Sequence, residues 1–363
     1  MRIVHVCRIG LPHRGGMEEV VAGLSAAQLG LGHRVEVVTL SRAITDGSAL
    51  PEGAWGGVPY RRVERLGPRA WPWARGLVER VRGADLVHVH GVDGLLDLLL
   101  ATRRWHGARV GVSTHGAYLH TGRWRAAKQL WLRSGTRLAL RAADAVWFDS
   151  ELDRSALRPA GAEGEVIPNG VRIEPFLALP RRPEPGRWLV HGRVDVHKGT
   201  DDLIEVVAAL GDRGPRRVVV AGAEATPGLI RSLETLARRR GVGETFRFLG
   251  PVSEQALLDQ LQRAERAVYP SRYEGFGVAV VEAMAAGIAP IVSDIPAHRE
   301  LVTLPAEGAV VDLRDVPGAV ARLAALPVGG SEAPRLRAAR FGWEQVVERW
   351  EQAYRAALGA VLR

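Results

Sequence analysis

Short apolar runs recur along the first 170 positions, and polar-faced stretches with helical spacing lie between them. The runs Ile3–Cys7, Val35–Leu40, Asp85–His90, Arg109–Ser113 and Asp144–Phe148 predict strands. Met17–Leu31, Leu95–Arg104, Trp124–Arg141 and Glu151–Leu157 predict helices. Val-rich strands alternating with helices imply a parallel, doubly wound sheet, an α/β fold. The pattern breaks at Pro175–Gly186, where Pro180, Pro183 and Pro185 suit a linker. Strand signals resume at Trp188–Gly192, Val218–Gly222 and Ala267–Tyr269, and Phe341–Leu362 reads as a terminal amphipathic helix. The pattern therefore divides the chain into a domain over 1–170, a linker over 171–186, a second domain over 187–342 and a closing helix over 343–363.

The segment from Tyr269 to Gly287 is the most informative stretch. A strand stops at Pro270, a loop carries Glu274, Gly275, Phe276 and Gly277, and an apolar Ala-rich helix starts at Val278 and ends at Gly287. A helix N-terminus offers unpaired N–H groups and the positive end of a dipole, which suits a phosphate. Gly275 and Gly277 let backbone approach a ligand where a Cβ would clash. Carboxylates accept paired hydroxyls, so Glu274 could hold a hexose and Glu282, two turns into the helix, a ribose. Two glutamates in a surface loop and a buried helix would also satisfy the bare spacing.

A chain of 363 residues, 47% of them hydrophobic, has room for two buried cores. It contains no apolar run long enough to span a bilayer, and it begins directly as a strand without a signal peptide. With Cys7 as its sole cysteine it forms no internal disulfide, and a reducing, cytoplasmic compartment fits. No histidine or acidic group has metal-ligand spacing, so no metal is expected. The net charge of +9 is concentrated early, residues 1–170 carrying 23 basic and 16 acidic side chains. From Leu98 to Ala143 there is no acidic residue. An anionic membrane or a nucleic acid would each match this charge, as would an arginine-rich proteome.

Other candidates lie at strand ends. His13-Arg14-Gly15-Gly16 precedes a helix, and Gly15 and Gly16 suit close approach of a phosphate or sugar. His88 and His90 share one strand face and read as buried, hydrogen-bonded groups. His115, ending Ser113-Thr114-His115-Gly116, is the sharper candidate for orienting a sugar or moving a proton. The following stretch sets Arg123, Arg125, Lys128, Arg133, Arg137 and Arg141 among Trp124 and Trp131. That mixture reads either as a surface for an anionic bilayer and a lipid diphosphate or as a solvated basic helix with its tryptophans in the core. In the second half, Arg193 and Lys198 follow a strand ending at Gly192 and can neutralise a diphosphate from two sides. Lysine occurs only at Lys128 and Lys198, so keeping one here points to a site wanting a compact ammonium.

Taken together, Glu274-Gly275-Phe276-Gly277…Glu282-Ala283-Met284-Ala285 resembles the E-x7-E signature of retaining glycosyltransferases of family 4. Gly192-Arg193…Lys198-Gly199, the Gly15-Gly16 loop and Pro168-Asn169-Gly170 extend the resemblance over nearly the whole chain. Ser113-Thr114-His115-Gly116…His120-Thr121 with its basic sequel resembles one subgroup, the GDP-mannose:cellobiosyl-diphosphopolyprenol α-mannosyltransferases of exopolysaccharide assembly. Ala117 and Tyr118 depart from that subgroup's pattern. The resemblance implies the GT-B fold, two Rossmann-like domains facing across a cleft, the first binding acceptor and the second the nucleotide sugar. It also implies diphosphate contacts from Arg193, Lys198, Gly15, Gly16 and the Gly275–Val278 N-terminus, and a nucleobase loop at Phe248–Val252, with Val252 as a donor contact. The closing helix is expected to cross back onto the first domain.

The expected activity is retaining, metal-independent hexosyl transfer without a cofactor. The donor is GDP-mannose or a UDP-sugar, and the acceptor is a lipid-linked or other glycan. Arg123, Trp124, Arg125, Lys128 and Trp131 would meet acceptor or membrane, placing the protein at the inner face of the plasma membrane, with nucleic acid not a partner. Two other classes compete: a sugar-nucleotide epimerase of the same architecture, and a non-catalytic basic protein that binds membranes or nucleic acid.

Overall fold

The structure is a computed structural model that describes residues 1–11, 16–42, 47–68, 71–115, 135–326 and 332–359. Backbone contacts divide the chain into two units, Met1–Gly170 with Trp343–Arg363, and Val171–Gly342.

Unit 1 is built on a sheet of nine strands. In chain order they are β1 (Arg2–Cys7), β2 (Arg34–Leu40), β3 (Gly53–Trp55), β4 (Val58–Leu66), β5 (Trp73–Arg75), β6 (Leu86–His90), β7 (Arg109–Ser113), β8 (Ala145–Phe148) and β9 (Glu165–Val166). Their spatial order is β3-β4-β2-β1-β6-β7-β8-β9, with β5 paired to β4. All pairs are parallel except those that join β3 and β5 to β4. The five strands expected from apolar runs are present. β4 went unread because its sequence VPYRRVERL carries Pro59 and four charged residues, which disguise its apolar alternation. The register pairs His5 of β1 with His88 of β6, so His5, His88 and His90 project from one face.

The chain returns to unit 1 at its C-terminus. The helix Trp343–Gly359 lays Val346, Val347, Trp350, Ala353 and Tyr354 against Ile3, Leu24, Leu86 and Trp147. This apolar stripe at helical spacing is what the sequence pattern showed, and burial of its aromatic residues stabilises the helix on the unit. Gly23 and Gly170 leave room for Trp343, since a Cβ at either would lie 2.3 Å from the indole.

Unit 2 carries six parallel strands, β10 (Arg187–His191), β11 (Arg217–Ala221), β12 (Phe246–Gly250), β13 (Arg266–Tyr269), β14 (Ile291–Ser293) and β15 (Ala309–Val311). Their order is β12-β11-β10-β13-β14-β15. Counted from β10 this is 3-2-1-4-5-6, the Rossmann order, whose direction reverses between β10 and β13. Ligands of such sheets bind beyond the carboxyl ends of strands at that reversal. Unit 1 reverses in the same way between β1 and β6.

The stretch expected as a linker, 171–186, is part of unit 2. The backbone N–H groups of Arg182 and Glu184 donate to the carbonyls of Gln262 and Arg263. Phe176 is buried in the unit 2 core, and Arg181 donates to the carbonyls of Leu261 and Ala264. The prolines are accommodated because the segment runs along the surface of the helix Glu254–Arg263 without needing their missing N–H groups.

Candidate active site

The two loops at the unit 2 reversal point hold the predicted donor residues. After β10, Gly192 leads to exposed Arg193, and a single 3-10 turn, Val196–Lys198, ends at Gly199. Gly199 has φ +65°, and a Cβ there would lie 2.1 Å from the Pro270 carbonyl oxygen, so only glycine lets the loops after β10 and β13 approach this closely. Between them the Arg272 guanidinium bridges Asp201 and Asp202, both at 2.7 Å, and donates to the Val196 carbonyl at 3.0 Å. The Arg272 N–H donates to the His197 carbonyl. Arg272 thus fixes the loops to each other, a role that its sequence context did not announce.

Lys198 and Glu274, expected to hold different parts of one ligand, meet directly. Lys198 Nζ lies 2.5 Å from Glu274 Oε1, and Ser271 Oγ donates to the same oxygen at 2.8 Å. The side chains are 25% and 14% exposed, so the pair is shielded but reachable from solvent. Among the described residues Arg193 makes no hydrogen bond or ion pair, which leaves a free guanidinium a few positions from the ammonium.

Gly277, at φ +108°, caps the helix Val278–Ala285, whose first residue Val278 is exposed, as is Gly275. These backbone groups are open to a ligand. The Phe276 ring is not, because it is buried edge-on against Phe341, centroids 5.6 Å apart. Only its backbone can serve the donor contact expected of it. Glu282 Oε2 lies 3.0 Å from His191 Nε2, and His191 Nδ1 lies 3.0 Å from the Tyr269 hydroxyl, which donates to the Ala279 carbonyl. Glu282 is therefore oriented by the strand beneath it. Half-buried Val252 follows β12, two strands from β10, and packs on the unit 2 core. The two cations, two carboxylates and helix N-terminus can bind a diphosphate flanked by hydroxyl-bearing rings.

In unit 1, Gly16 begins the helix Gly16–Gly30 with no atom within 4 Å of where its Cβ would sit. Gly15, and the acceptor or membrane candidates Arg123, Trp124, Arg125, Lys128 and Trp131, lie outside the described residues. Arg137 and Arg141, on the helix Gly135–Ala142, are exposed beside Leu138.

His115 lies just beyond β7 with φ +45°, alone among described non-glycine residues in having a positive value. Its Nδ1 is 2.9 Å from Asp149 Oδ2 and its Nε2 is 2.9 Å from His90 Nδ1. Both ring nitrogens are engaged, so neither is left to contact a sugar directly. Burial works against its charged form, but Asp149, Asp153 and Glu18 outweigh this and raise its pKa above the ordinary value.

His5, far from His88 and His90 in sequence, joins them in space, and one ring nitrogen from each of the three lies within 4.8 Å of the others. Spacing along the chain hid this cluster, although a histidine inside the otherwise apolar strand Ile3–Cys7 was a signal. All six nitrogens have hydrogen-bond partners within the unit. Burial lowers the His5 pKa to about 4, against a weaker upward pull from Gln28, and it pushes His88 and His90 well below their usual range. The unfolded chain takes up these protons near pH 6.5, whereas folded His5 stays neutral down to about 4. Stability is therefore full above pH 6.5 and falls as the pH drops toward 4, by about 3 kcal/mol from His5 alone. Urea melts at pH 7.5 and 4.5 should show a lower midpoint at the acid pH, and an unchanged midpoint would contradict the neutral cluster.

Comparison with known proteins decides what kind of site this is. Residues 178–329 match the family described as Glycosyl transferases group 1, and residues 14–175 match Glycosyltransferase Family 4. Over 99% of its length the chain is 35% identical to 98% of a GDP-mannose:cellobiosyl-diphosphopolyprenol alpha-mannosyltransferase of Xanthomonas campestris. This chain belongs to glycosyltransferase family 4. A relative with the same description from Komagataeibacter xylinus is 31% identical, the match covering all of this chain and 95% of that one. This glycosyltransferase also shares its fold with Anabaena HepE crystallised with UDP, at a TM-score of 0.75 and 16% identity over 98% of this chain and 100% of that one. A sucrose-phosphate synthase from Thermosynechococcus elongatus superposes with a TM-score of 0.73 at 20% identity, with 99% of each chain covered. The fold is GT-B, with two Rossmann-like units, as the motifs implied. Membership of the family, and full-length similarity to enzymes, set aside the epimerase and the non-catalytic binding protein.

Proposed function

We propose that this glycosyltransferase moves mannose from GDP-mannose to a saccharide carried on a lipid diphosphate, with retention at the anomeric carbon. The observation that carries the reading is the full-length similarity to GDP-mannose:cellobiosyl-diphosphopolyprenol alpha-mannosyltransferases. The unit 2 site is the right kind of surface for such a donor. Arg193, Lys198 and the N-terminus at Val278 supply the positive potential that a departing diphosphate needs, and no share of it is assigned to a metal or cofactor. Glu274 receives hydroxyls of the hexose and Glu282 those of the ribose. Unit 1 takes the acceptor, and Gly15 and Gly16 contribute to phosphate binding. The acceptor hydroxyl attacks the anomeric carbon on the face from which the diphosphate leaves. A new glycosidic C–O bond replaces the sugar–phosphate C–O bond, and the hydroxyl proton passes to the leaving phosphate oxygen. No covalent sugar–enzyme intermediate is involved.

The test of the donor is calorimetric titration with GDP, UDP, GDP-mannose and UDP-glucose in metal-free buffer. Tight binding of GDP and GDP-mannose alone is expected, and preference for the UDP ligands would overturn the donor assignment. The same reading places the enzyme as a peripheral protein on an anionic membrane, supported by the cationic stretch around Arg123–Trp131. Among the described residues no helix is long and apolar enough to cross a membrane. Neutralising Arg125, Lys128 and Arg133 together should weaken co-sedimentation with phosphatidylglycerol vesicles by tenfold or more (about 1 kcal/mol per charge). Unchanged binding would contradict a membrane role for that stretch.

A further inference from the structure

The histidine cluster of unit 1 is one end of a buried chain of hydrogen bonds that reaches the strand ends. Gln28 Oε1 lies 2.7 Å from His5 Nε2, His5 Nδ1 2.9 Å from His90 Nε2, His90 Nδ1 2.9 Å from His115 Nε2, and His115 Nδ1 2.9 Å from Asp149 Oδ2. A second arm runs from Ser113 Oγ, 2.7 Å from His88 Nε2, through His88 Nδ1 to the Tyr354 hydroxyl at 2.6 Å. Tyr354 is also the other polar neighbour of Gln28, whose amide nitrogen has no hydrogen-bond partner as placed. Every member from Ser113 to His90 is at most 2% exposed.

With His5 and His90 neutral, proton counting leaves the chain two arrangements. With the Gln28 oxygen facing His5, His5 donates from Nε2. With His5 and His90 neutral, His90 then donates from Nε2 and His115 from both nitrogens, which puts an extra proton and a positive charge on His115. With the amide turned over, its N–H donates to His5 Nε2 and its oxygen accepts from the Tyr354 hydroxyl. Each of His5, His90 and His115 is then neutral with its proton on Nδ1, and no amide atom is orphaned. Burial keeps His5 and His90 neutral in both arrangements, and the second is the one that gives the unpartnered side of the Gln28 amide a partner.

We propose that Gln28, His5 and His90 are positioning residues that keep His115 singly protonated, with Nε2 accepting and the proton on Nδ1, and that His115 in turn holds Asp149 as an acceptor carboxylate for a hydroxyl of the saccharide acceptor. Asp149 follows β8 at the carboxyl ends of the unit 1 strands, and among the described residues its other oxygen has no partner. The left-handed backbone of His115 fits this account, because strain of that kind persists where surrounding contacts over-determine a side chain's place. The part played by the saccharide rests on the transferase reading above, whereas the tautomers do not.

The test is nitrogen-15 NMR of the imidazoles in the full chain, selectively labelled at histidine, at pH 7.5. His5, His90 and His115 are expected to carry Nδ1–H. Gln28→Glu, of the same shape but unable as a carboxylate to donate, should turn His5 and His90 to Nε2–H and leave His115 doubly protonated. In transfer assays it should raise KM for the lipid-linked acceptor at least about fivefold, with KM for the donor within twofold. Gln28→Met removes the donor without adding charge and should split the His5 and His90 signals between tautomers, His115 keeping its proton on Nδ1 against Asp149. An Nε2–H His115 in the wild type, or wild-type tautomers in both variants, overturns the chain. Altered tautomers with an unchanged acceptor KM overturn the role given to Asp149. A wild type that transfers no sugar from any nucleotide would count against the transferase reading alone, since the tautomers are read without turnover.

Discussion

Glu274→Gln should lower kcat/KM for sugar transfer by about 10²- to 10³-fold, the range seen when a group acting on developing charge is removed. The argument is geometric. Glu274 stands in the loop after β13, and its Oε1 is shared by Lys198 at 2.5 Å and Ser271 at 2.8 Å. Glutamine keeps the shape and loses the charge. Without a ligand the pair neutralises itself. In the donor binding proposed above, a sugar nucleotide draws the ammonium to its diphosphate and gives the carboxylate its hexose hydroxyls. The substitution removes both the partner that keeps Lys198 in register and the acceptor that orients the sugar. The unit 2 core contains neither side chain, so the melting temperature should move by only a few degrees. Steady-state kinetics alongside thermal melts check this, and wild-type kinetics in a folded variant would sink the assignment.

Lys198→Ala should be comparably damaging, again by about 10²-fold or more. Arg193 is unpaired among the described residues and can still meet the diphosphate, but an exposed guanidinium alone does not supply charge from the other side of the group. The alanine also strands Glu274 without its cation, so repulsion between this carboxylate and an anionic donor adds to the loss. Because the two residues share one contact, the double variant Glu274→Gln/Lys198→Ala should be less impaired than independent losses would make it. A strictly multiplicative loss in the cycle would show that the pair seen here has no part in the catalytic cycle.

Legibility in the sequence followed the physics of each part. The Val-rich strands β1, β2, β6, β7 and β8 were readable because a parallel sheet is covered on both faces and writes itself as unbroken apolar runs. The strand β4, half charged and at the sheet's flank, was not. The loop from Ser271 to Gly277 was readable because glycines and a carboxylate beside a helix start have few purely structural uses together. The Lys198–Glu274 contact was hidden, since spacing along one loop says nothing about which loop packs opposite. The same limit hid the chain from Gln28 to Asp149, whose members come from three strands, two loops and two helices, counting Tyr354. His115 was singled out from its place at a strand end. That both its nitrogens point into the protein depends on Asp149 and His90, which the fold alone brings beside it.

The most direct measurement is transfer of radiolabel from GDP-mannose to cellobiosyl-diphosphopolyprenol by the purified chain, with UDP-glucose as a parallel donor. Label is predicted to enter the organic-soluble lipid fraction from GDP-mannose only, and to be released by an α-mannosidase. Label entering from UDP-glucose instead, or a product resistant to α-mannosidase and cleaved by the β-specific enzyme, would contradict the account.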